Sequence, residues 1–256
     1  MLDPALGAVI AFAVALLTTP VGVSGAVFLV PVQVSVLGVP SPSVTPTNLL
    51  YNLVAIPGAL ARFHREGRLA GRLTRALAVG SLPGVVIGAV IRVELLSSPH
   101  AFYLVIAAVL GPLGAWLALL RPARARSDGR APMRWITFAA FAVGIVGGIY
   151  GIGGGSILAP ILVGVGFTVA EVAPATLAAT FITSIAGVAT YAVLSIEGTG
   201  DIAPDWLLGL SMGLGGLAGS YLGARFQSRL PEALLRRGLG ILALALALRY
   251  LAAGLG

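Results

Sequence analysis

The sequence predicts an all-α polytopic membrane protein: two inverted-topology repeats of about five helical segments, each beginning with a glycine-broken or re-entrant pair. Three observations predict it. The 256 residues are 58% apolar and 10% charged, whereas a soluble domain carries about 25% charge. A glycine-rich interruption occurs once in each half. Two loops at equivalent places in the halves differ in charge. The apolar runs are continuous and do not alternate, so the spanning elements are helices and not barrel strands.

Taken in order, Ala5 to Leu17 is apolar but only about 20 Å long as a helix. Thr18-Thr19-Pro20 and Gly22-Val23-Ser24-Gly25 interrupt it, and Ala26 to Leu37 resumes it. Neither piece matches a hydrocarbon core of about 30 Å, so the two read as a broken or re-entrant hairpin. Met1-Leu2-Asp3-Pro4 has no basic region, which predicts that this first run is retained and is not a cleaved signal peptide. Pro40, Pro42 and Pro46 predict a punctuated loop before a helix over 47–61. Spans over 73–91 and 101–120 follow. The second closes on an arginine-rich stretch from Arg121 to Arg130.

That stretch nearly bisects the chain. It divides one integral membrane domain into a first repeat (1–121), a cytoplasmic linker (122–134) and a second repeat (135–256). The second half repeats the plan: a glycine-broken pair over 135–167, a helix over 173–194, and a loop bearing Glu197, Asp201 and Asp205. A span over 206–224 comes next. Arg225, Arg229, Arg236 and Arg237 then precede a last span over 239–251.

The loops orient the halves. All sixteen basic residues are arginines, clustered in short loops, so the net charge of +7 reads as topology and not as nucleic-acid binding. Basic loops stay cytoplasmic, which places 62–72, 121–134 and 225–237 inside. The loop over 195–205 has no basic residue and belongs outside. Yet 62–72 and 195–205 follow equivalent helices. Equivalent loops on opposite sides require inverted repeats with an odd number of passes each. Both termini then fall outside.

The two breaks match residue by residue. With Gly22 set on Gly151, the pairs Gly25/Gly154, Leu29/Leu158 and Pro31/Pro160 coincide. Clustered glycines open a helix, and opened backbone at membrane depth survives only where protein buries it or a cavity hydrates it. A half-helix N-terminus presents free N–H groups and about half a positive charge, which suits an anion. Setting Pro46 on Pro174 places Asn48 on Thr176 and Asn52 on Thr180, a polar stripe on one helix face, with Thr183 and Ser184 a turn further on. Lining of a substrate path and plain interhelical hydrogen bonding both fit this stripe. Close helix packing through small residues accounts for Gly80, Gly84 and Gly88, and for Gly215, Gly219 and Gly223.

Other chemistries fail on inspection. Gly151 to Ser156 lacks the Gly-Lys-Ser/Thr ending of a phosphate loop. Gly22-Val23-Ser24-Gly25 has the glycines and serine of an intramembrane serine protease. His64, in an arginine-rich loop, and His100, at the outer end of a helix, offer it no base. The chain has no cysteine, and no His/Asp/Glu cluster has metal-ligand spacing, so no cofactor or metal is expected. Glu171 reads as a helix-start carboxylate or as part of a proton-coupling site. Asp201 and Asp205 read as solvated loop charges.

The chain resembles the sulfite exporter family, also called TauE/SafE, over nearly its whole length. The resemblance rests on Gly151-Ile152-Gly153-Gly154-Gly155-Ser156-Ile157-Leu158-Ala159-Pro160, its weaker N-terminal copy, and Ala175-Thr176-Leu177-Ala178-Ala179-Thr180. It implies movement of small sulfur oxyanions or organic anions, such as sulfite, sulfoacetate or other sulfonates, across the bacterial inner membrane. Ser24 and Ala26 stand where the second copy has Gly153 and Gly155, so the two halves need not contact substrate equally. Thr19, Ser24, Gly25, Asn48, Asn52, Tyr150, Gly153, Gly154, Ser156, Thr176 and Thr180 are the candidate substrate-binding residues. The partners expected are a small anion and membrane lipid. A coupling proton or ion and a homo-oligomer stay open, as do a permease for another small anion and a channel or scaffold.

Overall fold

The computed structural model describes residues 3–69, 71–96, 98–119, 131–197, 202–229 and 232–255. Among them are ten α-helices and no strand: α1 (Pro4–Thr18), α2 (Ala26–Ser35), α3 (Ser41–Arg65), α4 (Arg72–Glu94), α5 (Pro99–Leu119), α6 (Met133–Tyr150), α7 (Gly155–Gly164), α8 (Val169–Glu197), α9 (Trp206–Phe226) and α10 (Glu232–Leu255). A 3₁₀ turn, Thr19–Val21, joins α1 to the first break. The arginine-rich stretch 121–130 and Asp201 lie outside the described residues, and α6 begins at Met133, within the range read as linker.

Seven helical stretches are long and apolar enough to cross a membrane. α2 and α7 have ten residues each, about 15 Å of rise, half a bilayer. The broken pair is therefore a long helix followed by a half-helix, in both halves. α3 is long enough at 25 residues, but its polar residues lower its hydropathy.

Local chemistry explains the helix ends. Asp3 caps α1 by accepting from the amides of Ala5 and Leu6, with Pro4 at the first helical position, where an N–H is not needed. Thr168 and Glu171 form a reciprocal capping box on α8: the Glu171 carboxylate accepts from the Thr168 amide at 3.0 Å, and the Thr168 hydroxyl accepts from the Glu171 amide at 3.3 Å. This supports the helix-start reading of Glu171.

Three expectations are corrected. Asp205 is not a solvated loop charge; its carboxylate accepts from the Leu208 amide and caps α9. α3 begins at Ser41, with Pro42 in its first turn, where proline costs least, and Pro46 inside the helix. α10 extends back to Glu232, so Arg236 and Arg237 are helical rather than loop residues.

Packing interleaves the halves. α1 and α3 lie on α9, α6 and α8 lie on α4, and α5 pairs with α10. The glycine stripes are the reason. Methyl groups at Gly80, Gly84 and Gly88 would strike the carbonyls of Thr137, Phe141 and Ile145 on α6; at Gly215, Gly219 and Gly223 they would strike those of Ala8, Phe12 and Leu16 on α1. The same close approach is built twice. α2 runs to the end of the bundle where α10 finishes, and there the Tyr250 hydroxyl meets Ser35 and the Pro31 carbonyl. α7 runs to the opposite end and packs with Leu73, Leu77 and Ile136 at the starts of α4 and α6.

Candidate functional site

The site grows from two left-handed glycines. Gly22 has φ 77° and Gly151 has φ 81°, a conformation that side chains resist. Space excludes a side chain as well. A Cβ on Gly22 would lie 2.9 Å from Ala173 Cα, and one on Gly151 would lie 3.0 Å from Thr45 Cα. Each break is thus pressed against the first turns of the long helix of the other half, α8 or α3.

A broken helix frees carbonyls, and side chains from α3 and α8 take them up. Asn48 Nδ2 donates to the carbonyls of Gly151 and Ala26, both at 3.0 Å, while its Oδ1 accepts from Gln33 Nε2. The Thr176 hydroxyl donates to the Gly22 carbonyl at 3.1 Å. Tyr191 and Thr45 donate to the carbonyls of Gly148 and Ile149. Pro31 has no N–H for the Val27 carbonyl one turn back, and the Tyr150 hydroxyl donates there instead at 3.0 Å.

The half-helix N-termini meet. The Ser24 amide donates to the Ser156 hydroxyl at 3.0 Å, bringing the first turns of α2 and α7 into contact before they diverge to opposite ends of the bundle. Ser24 Oγ donates to Asn52 Oδ1 at 2.6 Å and accepts from the Ala26 amide. At α7, among the described residues, no acceptor outside the helix meets the amides of Gly153, Gly154 or Gly155.

Unpaired side chains gather at the same place. Buried and without a hydrogen-bond partner are Thr18 Oγ1, Asn52 Nδ2, Ser81 Oγ, Thr180 Oγ1 and Ser184 Oγ. Their position is shown by the glycines they face. A Cβ on Gly154 would lie 2.6 Å from Ser81 Oγ, and one on Gly155 would strike Thr180 Oγ1; Asn52 is placed by its bond to Ser24. Such orphan polar groups are costly in an apolar interior, so a cluster of them marks a place where another partner is accommodated.

Every candidate residue named from the sequence is buried here. Thr19, Ser24 and Gly25 line a cavity of about 10 Å³ beside Tyr51 and Ser220, room for about one water. Tyr150 and Asn48 are spent on backbone carbonyls, whereas Asn52 and Thr180 keep a free group. Sequence reasoning missed Ser81, hidden in the glycine stripe of α4. It also missed Gln33, the one amide side chain in the otherwise apolar run of α2, a signal that was available. Among the described residues no group of His, Asp and Glu is placed to hold a metal.

The family profile described as sulfite exporter TauE/SafE matches residues 7–250, spanning both breaks and all the elements around them. The chain belongs to the sulfite exporter TauE/SafE family. No curated protein and no solved structure matches it. As a TauE/SafE protein it is a multi-pass membrane protein of a transporter family. Among the described residues, the buried arginines stand near helix ends and not at the breaks. Arg92 is 1% exposed, over the Phe102 ring at 4.1 Å; Arg236 is 3% exposed, over Trp116 at 4.3 Å.

Proposed function

We propose that this TauE/SafE protein is a secondary transporter for a small anion, sulfite, sulfoacetate or another organosulfonate or sulfur oxyanion, working by alternating access across the inner membrane. One observation carries the reading: two half-helix N-termini abut through Ser24 and Ser156, with unmet amides at Gly153 to Gly155 and unpaired hydroxyls around them. Each helix N-terminus carries about half a positive charge. Like poles brought together repel, and an anion between them turns that repulsion into attraction. The amides and hydroxyls supply donors, so no arginine is required.

The burial of the site supports the transport cycle. A cavity with room for one water does not hold an oxyanion, so the conformation described is a closed one. Binding requires the halves to move. With inverted repeats, rocking one against the other opens the site alternately to each side. The repeated packing of α1 on α9 and of α6 on α4 supports that symmetry, and both termini then lie outside the cytoplasm.

Proteoliposomes test the reading. Saturable accumulation of labelled sulfite or a sulfonate, weakened by Thr180→Val, is the expected result. Thermal shifts with a panel of oxyanions and sulfonates report binding separately, because a ligand held by the folded state raises its apparent stability. No saturable flux and no shift with any anion would leave a scaffold; flux without saturation would leave a channel.

A further inference from the structure

The 3₁₀ turn Thr19–Val21 is a thin wall between two cavities. On its inner side lies the small cavity at the start of α2, lined by Thr19, Ser24 and Gly25. On its other side lies a larger one of about 290 Å³, whose lining includes Pro20, Glu66, Arg68, Arg225, Gln227 and Ser228. This outer cavity is at the end of the bundle that carries the basic ends of α3 and α9.

Arg68 organises it. One guanidinium nitrogen donates to Glu66 Oε2 at 2.9 Å. The other donates to Gln227 Oε1 at 3.0 Å and to the Ala170 carbonyl at 2.7 Å. Ala170 is the residue whose carbonyl Pro174 leaves without a helical donor. Gln227 in turn donates through Nε2 to the Pro20 carbonyl at 2.7 Å, on the wall itself. Arg68 and Gln227 together therefore tie the α3–α4 turn, the start of α8 and the end of α9 to the 3₁₀ turn.

We propose that the outer cavity is a second anion site, an entry vestibule in which a sulfonate or sulfur oxyanion takes the place of the Glu66 carboxylate on Arg68. The proposal rests on the transport reading above. A guanidinium donates charge-assisted hydrogen bonds to a carboxylate and to an oxyanion alike, and only one nitrogen of Arg68 holds Glu66. Glu66 is also held by Arg62 at 2.8 Å, so it has a second partner when displaced. Arg225, exposed in the same cavity, adds positive charge. Turning Arg68 toward the anion loosens its bond to Gln227, and with it the tie on the Pro20 carbonyl. Occupation of the vestibule thus releases the wall in front of the inner site, and Glu66 is an internal competitor of the substrate.

The absence of native cysteine makes the test clean. Ser228→Cys places one thiol in the lining of the vestibule, and its maleimide labelling is measured with methanesulfonate or sulfate present, against chloride at equal ionic strength. Slower labelling in the oxyanion, abolished by Arg68→Gln, is expected. Flux is measured in parallel. Arg68→Gln is expected to raise the half-saturating concentration about tenfold, the scale of one charge-assisted hydrogen bond. Glu66→Gln is expected to lower it severalfold, a direction that lost structure does not produce. If the parent protein transports but labelling is unprotected, or protection survives Arg68→Gln, the vestibule site is wrong and the transport reading stands. If the parent transports nothing, the transport reading itself fails.

Discussion

Asn48 Nδ2 and the Gly151 carbonyl are 3.0 Å apart, and the equivalent positions in the other half, Thr176 Oγ1 and the Gly22 carbonyl, are 3.1 Å apart. Each break is held by the long helix of the opposite half. The two bonds are not of equal worth. Asn48 also serves Ala26 and Gln33, whereas the Thr176 hydroxyl reaches the Val172 and Ala173 carbonyls of its own helix. Asn48→Ala is therefore expected to cost about 1–3 kcal/mol and Thr176→Val about 0.5–1.5 kcal/mol. Unfolding in detergent micelles measures both, and the reverse order would mean that these bonds do not hold the breaks.

Gly151 is constrained twice, by its positive φ and by the Thr45 backbone. The left-handed conformation alone costs a side chain about 1–2 kcal/mol, and the collision adds to it. Gly151→Ala and Gly22→Ala are expected to reduce the yield of folded, monodisperse protein sharply. Gly164→Ala, at the last residue of α7 with nothing within 4 Å of its Cβ, is the control and is expected to behave as the parent. Size-exclusion profiles of the three variants decide the matter.

The outline of this fold was legible because backbone exceptions are written in glycine and proline. Gly22/Gly151 and Gly25/Gly154 align in the sequence and occupy matching places at the two breaks. The polar stripe of Asn48, Asn52, Thr176 and Thr180 was legible too, since helical spacing alone puts those residues on one face. Helix starts were less so. Pro42 and Pro46 signal a loop, yet Pro42 falls in the first turn of α3, which tolerates it, and Pro46 lies inside the helix; Asp205 looks solvated until the amide of Leu208 is known to face it. Ser81 was invisible for a different reason. Its partners across space, Gly154 and Gly144, are distant in sequence, and a serine among small residues carries no period of its own. Tyr150 was legible as a site residue, but its bond to Val27 depends on a carbonyl that Pro31 frees in another helix.

The unpaired hydroxyl of Thr180 separates function from architecture. Removing a buried group that has no partner relieves a desolvation cost. Thr180→Val is therefore expected to leave stability unchanged or to raise it by about 1 kcal/mol. If the hydroxyl meets the anion, the same change weakens substrate binding about tenfold, the worth of one hydrogen bond to a charged group. Ser81→Ala should behave likewise. Thermal unfolding and uptake are measured on the same preparations. Loss of both together would assign the hydroxyls to folding, by way of contacts the closed conformation does not make.

The orientation of the halves is open to a direct test. Arg62, Arg65 and Arg68 surround the turn that follows α3, while the turn after α8, its counterpart, has no basic residue over 195–205. Positive charge near short turns keeps them cytoplasmic, so a reporter at Glu66 is expected inside and one at position 198 outside. α1 lies on α9 through Gly215, Gly219 and Gly223 met in rising order by Ala8, Phe12 and Leu16, so these two helices run in the same direction. α6 and α4 do the same through Gly80, Gly84 and Gly88. If the Glu66 and position-198 reporters localise to one side, the halves are not inverted. α2 and α7 would then not approach a common midplane from opposite faces, and alternating access by rocking would lose its symmetry.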